Sequence, residues 1–348
     1  MELGVFHEFS RLAGESEADA FATSMEIVDA SEQWGLDVMW LAEHHFATHS
    51  VLASPLAIAA AIAGRTERLK IGTAVQVLPL GNPLRLAEEW ATVDHLSKGR
   101  LIFGVGRSGF ARTYHGYGIS YNESRQRFAE ALTVIKQAWS EPSVTFHGDY
   151  YDYDNVVVTP KTYQQPFPPI RVAATTPETF PVLGAQGYPC FAAVRQGTLR
   201  DLIPDIESYR KAYREAGHPG DGGVFLRIPI YLADTAEKAA SEPEQSIMEF
   251  YRGMGNQLIE SAREPGAQDA DLRQSRGEAL LELTYEEACR EKVVVGTPEM
   301  VIERLRALRD DLGIAGILAE LNCGRTIPHP NVMRSLQLLC TEVMPGLN

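Results

Sequence analysis

Eight short apolar runs, each followed by a stretch long enough for a helix, leave this chain few folds to choose from. The runs lie at 3–7, 37–42, 69–78, 101–105, 170–174, 190–193, 224–233 and 316–321. The helical stretches lie near 16–34, 54–66, 83–97, 122–139, 177–186, 198–216, 234–242 and 297–312. Strands alternating with helices read as parallel βα units, and eight of them predict a closed α/β barrel of the (β/α)8, TIM type. Thr297 is placed to cap the last of these helices, with Pro298 in its first turn, and a further helix near 329–344 follows.

Two segments interrupt the rhythm, one after strand four and one after strand seven. Residues 142–168 are rich in aromatics and proline; residues 243–292 mix helical pieces with a polar stretch at 264–276 that has little to bury. Long connections in barrel enzymes are commonly active-site lids, so a mobile lid is expected at 264–276. With no repeat and no linker between two cores, residues 1–348 read as a single domain.

Composition removes several function classes. The 348 residues are 45% hydrophobic, enough for a large core, yet no run of about 18 uncharged apolar residues offers a membrane-spanning helix. A net charge of −14 opposes a nucleic-acid backbone. Cys190, Cys289, Cys323 and Cys340 form no CxxC pair and read as reduced, mostly buried thiols. With no basic leader before the first strand, the expected location is cytoplasmic.

Four segments carry candidate chemistry. In Trp40-Leu41-Ala42-Glu43-His44-His45-Phe46, two imidazoles follow a carboxylate at the end of strand two, where barrel enzymes place catalytic groups. A histidine there suits proton transfer; equally, both rings could be satisfied by backbone and interface contacts. Glu43, His44, His45 and His49 match no zinc spacing, and no metal site is expected. Gly104-Val105-Gly106-Arg107-Ser108-Gly109 is a literal G-x-G-x-x-G, but residues 110–121 separate it from a helix, so the dinucleotide reading fails. What remains is a glycine-rich strand end that lets a planar ligand approach, with Arg107 either on a phosphate or on a surface carboxylate.

Where strand five turns into a helix, Thr175-Thr176-Pro177-Glu178-Thr179 places Thr176 as N-cap and Pro177 as first helical residue. Its hydroxyls serve either an anion or the cap alone. In Ile71-Gly72-Thr73-Ala74-Val75-Gln76, small residues inside strand three indicate either a flat ligand against the strand or close core packing.

Together WLAEHHF, LKIGTAVQVLP with NPLR, SKGRLIFGVGR, the strand-five turn and VVVGTPEMVIERL resemble the bacterial luciferase family of flavin-dependent monooxygenases, its alpha-subunit branch in particular. The resemblance runs in order along nearly the whole chain. It implies a catalytic histidine at His44 and a non-proline cis peptide at Ala74–Val75 under the isoalloxazine ring. It also implies cofactor contacts at Gly106, Arg107, Thr175, Thr176 and Thr179, the last two and Arg107 on the FMN phosphate. The implied reaction is a two-component monooxygenation: a separate flavin reductase supplies FMNH2, and O2 reacts through a flavin C4a-peroxide with a small organic substrate. Two alternatives on the same scaffold are a deazaflavin-dependent dehydrogenase and a non-catalytic flavin-binding barrel. Two departures bear on light emission: Gly106 stands where luciferase has a reactive cysteine, and Thr175 where it has an acidic residue.

The helix at 54–66 (SPLAIAAAIAGRT) is apolar nearly all round, whereas an outer barrel helix needs a polar face toward water. A homodimer through helices two and three is therefore expected. The resemblance implies an inter-subunit hydrogen bond between Glu88 and His45, so that His44 faces the flavin and His45 the partner.

Overall fold

The computed structural model describes residues 1–174, 176–194, 197–263 and 270–347. All eight expected strands are present: β1 (Glu2–His7), β2 (Val38–Leu41), β3 (Lys70–Thr73), β4 (Leu101–Gly106), β5 (Ile170–Ala173), β6 (Cys190–Ala193), β7 (Val224–Leu232) and β8 (Gly316–Glu320). In hydrogen-bonding order they run β7–β8–β1–β2–β3–β4–β5–β6, and β6 pairs again with β7. This closed order is that of a (β/α)8 barrel. Register follows the parallel pattern, with Val38 opposite Lys70 on β2 and β3 and Phe103 opposite Ile170 on β4 and β5.

The helices start where their caps direct. Ser16 accepts from the Asp19 N–H to open α1 (Glu17–Trp34), and Gly35, at φ 93, ends it in a conformation a side chain would resist. Ser54 with Pro55 opens α2 (Pro55–Arg65), and Asn82 with Pro83 opens α3 (Pro83–Leu96). α4 (Ser124–Ser140) follows β4 only after a short helix at Ala111–Gly116, which corrects the expectation that residues 110–121 separate the glycine motif from a helix.

The chain packs as two compact units. In the first, residues 6–173 with 188–191, a chain of buried rings runs from Trp90 to Phe103 (5.6 Å) and on to Trp139 (5.1 Å). Burying a large apolar side chain is worth about 1.5–3 kcal/mol, so this row anchors the unit. Gly72 belongs to the same packing: a Cβ there would lie 2.2 Å from the Trp40 ring. The small residue in strand three makes room for a tryptophan, and core packing is the reading that holds at that position. The segment at 142–168 is partly ordered as a β-hairpin (Val144–His147 with Asp152–Val156). The Glu130 carboxylate on α4 ties its turn down, accepting the N–H groups of Asp149, Tyr150 and Tyr151 at 3.0–3.3 Å.

The second unit, residues 1–5, 174–187 and 192–348, contains α5 (Thr179–Gln186), α6 (Ile203–Glu215) and the segment after β7. That segment folds as α7 (Glu244–Ala262), α8 (Ala270–Glu282) and α9 (Tyr285–Glu291), around Ile247, Tyr251, Leu280, Ala288 and Val293. Gly255 and Gly277 let α7 and α8 approach closely, since a Cβ on Gly255 would lie 2.9 Å from the Gly277 carbonyl. Of the expected lid, residues 264–269 lie outside the described residues, and residues 270–276 are the first turns of α8. α10 (Pro298–Leu312) begins after Thr297, but the Thr297 hydroxyl donates to Glu299 at 2.8 Å rather than capping the backbone.

Candidate active site

The two adjacent histidines at the end of β2 take different partners. His44 Nε2 meets Glu8 Oε1 at 3.0 Å, and His45 Nε2 meets Glu43 Oε1 at 2.8 Å. Glu43 is fully engaged: its other oxygen accepts from the Gln76 side-chain amide and the Val77 N–H, both at 2.7 Å. Gln76 in turn accepts from the Trp90 indole N–H at 3.1 Å. A carboxylate only accepts, so His45 donates from Nε2 and its Nδ1 accepts from the Tyr117 hydroxyl at 3.0 Å. Burial, with the Glu43 carboxylate adding to it, pushes the Tyr117 phenol up, which keeps that donor protonated.

Both nitrogens of His45 are thus engaged within the chain. Gln76 and Tyr117 were given no role with the histidines in the sequence, because they lie 33 and 72 residues from the groups they bond.

Around the end of β4, the Ala74–Val75 peptide is cis, as the resemblance implied. The glycines of β4 face protein: a Cβ on Gly104 would meet the Thr73 carbonyl at 1.7 Å, and one on Gly106 the Val75 side chain at 2.6 Å. The absence of side chains there admits the neighbouring segment. Gly109, by contrast, has nothing within 4 Å of such a position.

Arg107 is half-buried. Its guanidinium donates to the Ser124 hydroxyl at 3.0 Å and lies 5.8 Å from the Tyr121 ring. Among the described residues no carboxylate pairs with it, so the surface ion pair weighed for this residue is not formed. The Tyr114 hydroxyl donates to the Arg107 carbonyl and fixes the backbone there. Burial pushes that phenol up, while the Arg107 charge pulls it down.

At the strand-five turn, Thr175 lies outside the described residues. The Thr176 and Thr179 hydroxyls are 3.1 Å apart, and the Thr179 N–H closes a turn on the Thr176 carbonyl at 3.0 Å. The helix itself starts at Thr179, so Thr176 is not its N-cap and Pro177 is not its first residue; the turn takes up those positions instead. None of the four cysteines is in a disulfide, and three of them are buried.

The sequence model of luciferase-like monooxygenases matches residues 1–315. The chain belongs to this family. As a luciferase-like monooxygenase, it is 27% identical to the alkanal monooxygenase alpha chain of Photorhabdus luminescens, over 91% of this chain and 89% of that one. Among solved structures it is similar to the oxygenating constituent of 3,6-diketocamphane monooxygenase, a type II Baeyer–Villiger enzyme from the CAM plasmid of Pseudomonas putida in complex with FMN. The TM-score is 0.82 and the identity 20%, over 100% of this chain and 99% of that one. The fold is shared more widely: an F420-dependent secondary alcohol dehydrogenase superposes with a TM-score of 0.74 at 20% identity, over 100% and 99% of the two chains. Among the described residues of this luciferase-like monooxygenase, no helix is long and apolar enough to cross a membrane.

Proposed function

We propose that the chain is the oxygenating component of a two-component monooxygenase that uses reduced FMN, O2 and a small organic substrate, with a separate flavin reductase supplying FMNH2. The observation that carries this reading is Arg107: a half-buried cation at the end of a barrel strand, bonded only to a neutral hydroxyl and lacking a carboxylate partner among the described residues. A buried charge without a counterion is costly, and a phosphate would supply the missing anion. The Thr176 and Thr179 hydroxyls, 3.1 Å apart, are donors of the kind a phosphate also takes. Thr175, from the same turn, joins the proposed contacts by resemblance alone. The backbone at Ala74, Val75 and Gly106 would lie along the ring system. When bound, the reduced flavin supplies the oxygen chemistry, and the protein positions it and excludes water.

His44 would serve as the acid/base. Its imidazole is largely buried, at 14% side-chain exposure, and is held by a single ring nitrogen, whereas His45 is tied at both. On assembly, we extend the proposal to a homodimer through α2 and α3. The exposed positions of α2 are Ala57, Ala61, Gly64 and Arg65, so most of its outer face offers no polar group to water.

The likeness to a deazaflavin-using dehydrogenase supports a second reading, hydride transfer between an organic substrate and a deazaflavin. Anaerobic titration with FMNH2 and with reduced deazaflavin, followed by O2, separates the two. Tight FMNH2 binding with O2 uptake coupled to substrate oxidation is the expected result. Substrate-dependent reduction of deazaflavin selects the second reading, and binding of neither cofactor leaves a non-catalytic barrel.

A further inference from the structure

Glu8 is brought to His44 across 36 residues by backbone that is bolted in place independently of either side chain. The segment after β1 runs beside the segment after β2. The Ser50 hydroxyl donates to the Glu8 carbonyl at 2.6 Å, the Val51 N–H to Phe9 at 3.1 Å and the Arg11 N–H to His49 at 2.9 Å. Phe9 adopts a positive φ of 51° with its ring fully buried. The Glu8 carboxylate and the His44 ring are then held 3.0 Å apart, at 11% and 14% side-chain exposure.

The chemistry of the pair decides which atom of His44 is free. A carboxylate has no hydrogen to give, so the shared hydrogen sits on Nε2. A neutral imidazole carries one N–H, and its other nitrogen, Nδ1, then bears the lone pair. Among the described residues no hydrogen bond reaches Nδ1; the nearest ring is that of His49, edge-on at 5.3 Å between centroids. The neighbouring His45 is the contrast, since Glu43 and Tyr117 occupy both its nitrogens.

We propose that Glu8 is a positioning residue for His44: it holds the proton on Nε2, fixes the ring plane, and leaves Nδ1 as the atom that takes up and returns a proton during turnover. The proposal rests on the reading of His44 as the acid/base. Glu8 acts only through His44, and two glutamates thereby assign two adjacent histidines different tasks, Glu8 a reactive ring and Glu43 a structural one.

The test compares Glu8→Leu, Glu8→Gln, His44→Ala and the Glu8→Leu/His44→Ala pair. Two readouts are taken: 15N NMR of the histidine-labelled protein without flavin, and stopped-flow return of bound FMNH2 to FMN under O2. In the native protein, His44 gives a slowly exchanging Nε2 proton. That resonance vanishes in Glu8→Leu and persists in Glu8→Gln, whose carbonyl still accepts. Glu8→Leu changes the reoxidation rate about 10–100-fold, the scale on which partners that orient a histidine act. Glu8→Gln recovers most of that change and, being isosteric, also serves should the leucine variant not fold. In the His44→Ala background, Glu8→Leu adds nothing. An Nε2 proton that survives Glu8→Leu overturns the proposal, as does an equal effect of Glu8→Leu with and without His44; either leaves the role of His44 standing. A native reoxidation rate and native coupling in His44→Ala remove that role and this proposal together.

Discussion

Val75 occupies the space into which a side chain at Gly106 would project: a Cβ on Gly106 would lie 2.6 Å from Val75 Cγ2. The cysteine that luciferase carries at this position therefore cannot simply be restored. Gly106→Cys is expected to destabilise the chain by about 1–3 kcal/mol through overpacking, and Val75→Ala in the same chain to recover much of it. Urea unfolding of the two single variants and the double variant checks this. Additive losses would place the strain of the cysteine elsewhere.

Arg107→Ala is expected to weaken FMN binding by about 1.5–3 kcal/mol, or ten- to somewhat over a hundredfold, because it removes a charge-assisted contact. Riboflavin, which has no phosphate, should bind both proteins alike. Fluorescence titration with the two ligands decides the matter, and equal losses for both would take Arg107 off the phosphate.

His44→Ala should leave FMNH2 binding nearly intact while lowering substrate oxidation by about 10²–10⁴, the usual contribution of a positioned acid or base. Hydrogen peroxide should become the main product of oxygen consumption. Near-normal yield of oxidised product per FMNH2 in a single turnover would refute the catalytic role.

Glu32 predicts an acid-sensitive joint in the fold. Its carboxylate accepts the backbone N–H groups of Glu67 and Arg68 at 3.1 Å and of Leu69 at 2.7 Å, clasping α1 to the start of β3. Burial works to raise this carboxyl, but the three N–H donors, with Arg68 adding its charge, outweigh it and hold the group below its ordinary value. The folded state thus binds the proton less readily than the unfolded chain, and this stability is present above the unfolded pKa and lost as pH falls through the folded one. Glu32→Ala should cost about 1–2 kcal/mol at pH 7, with the difference narrowing below about pH 4. A gap between the two proteins that stays constant into acid would mean the carboxylate charge is not what holds the joint.

For the proposed dimer, sedimentation at micromolar concentration should give about twice the chain mass. Ala61→Arg, on the exposed side of α2, should shift the chain toward monomer. The Glu88–His45 bond is not needed for this outcome, so Glu88→Ala should leave the dimer intact. A native chain that sediments as a monomer would leave the apolar face of α2 unexplained.

The amino-acid sequence by itself determined the barrel, because strand and helix are local: a period of two or of 3.6, a cap such as Ser54 with Pro55, a stop such as Gly35 at positive φ, all lie within a few residues. It placed a contiguous Glu43, His44 and His45 at the end of β2 equally well. Which partners those residues take was decided by tertiary structure. His44 and His45 are chemically identical neighbours, yet Glu8, 36 residues from His44, leaves its Nδ1 without a hydrogen bond among the described residues, while Tyr117, 72 residues from His45, joins Glu43 in tying that ring at both ends. The glycines divide the same way: the pattern at 104–109 is plain in the sequence, yet only the fold brings Thr73 and Val75 against Gly104 and Gly106 and leaves nothing within 4 Å of a Cβ at Gly109. A hydrogen bond or a van der Waals contact is set by positions a few ångströms apart in space, and local periodicity carries no record of which distant residue will stand there.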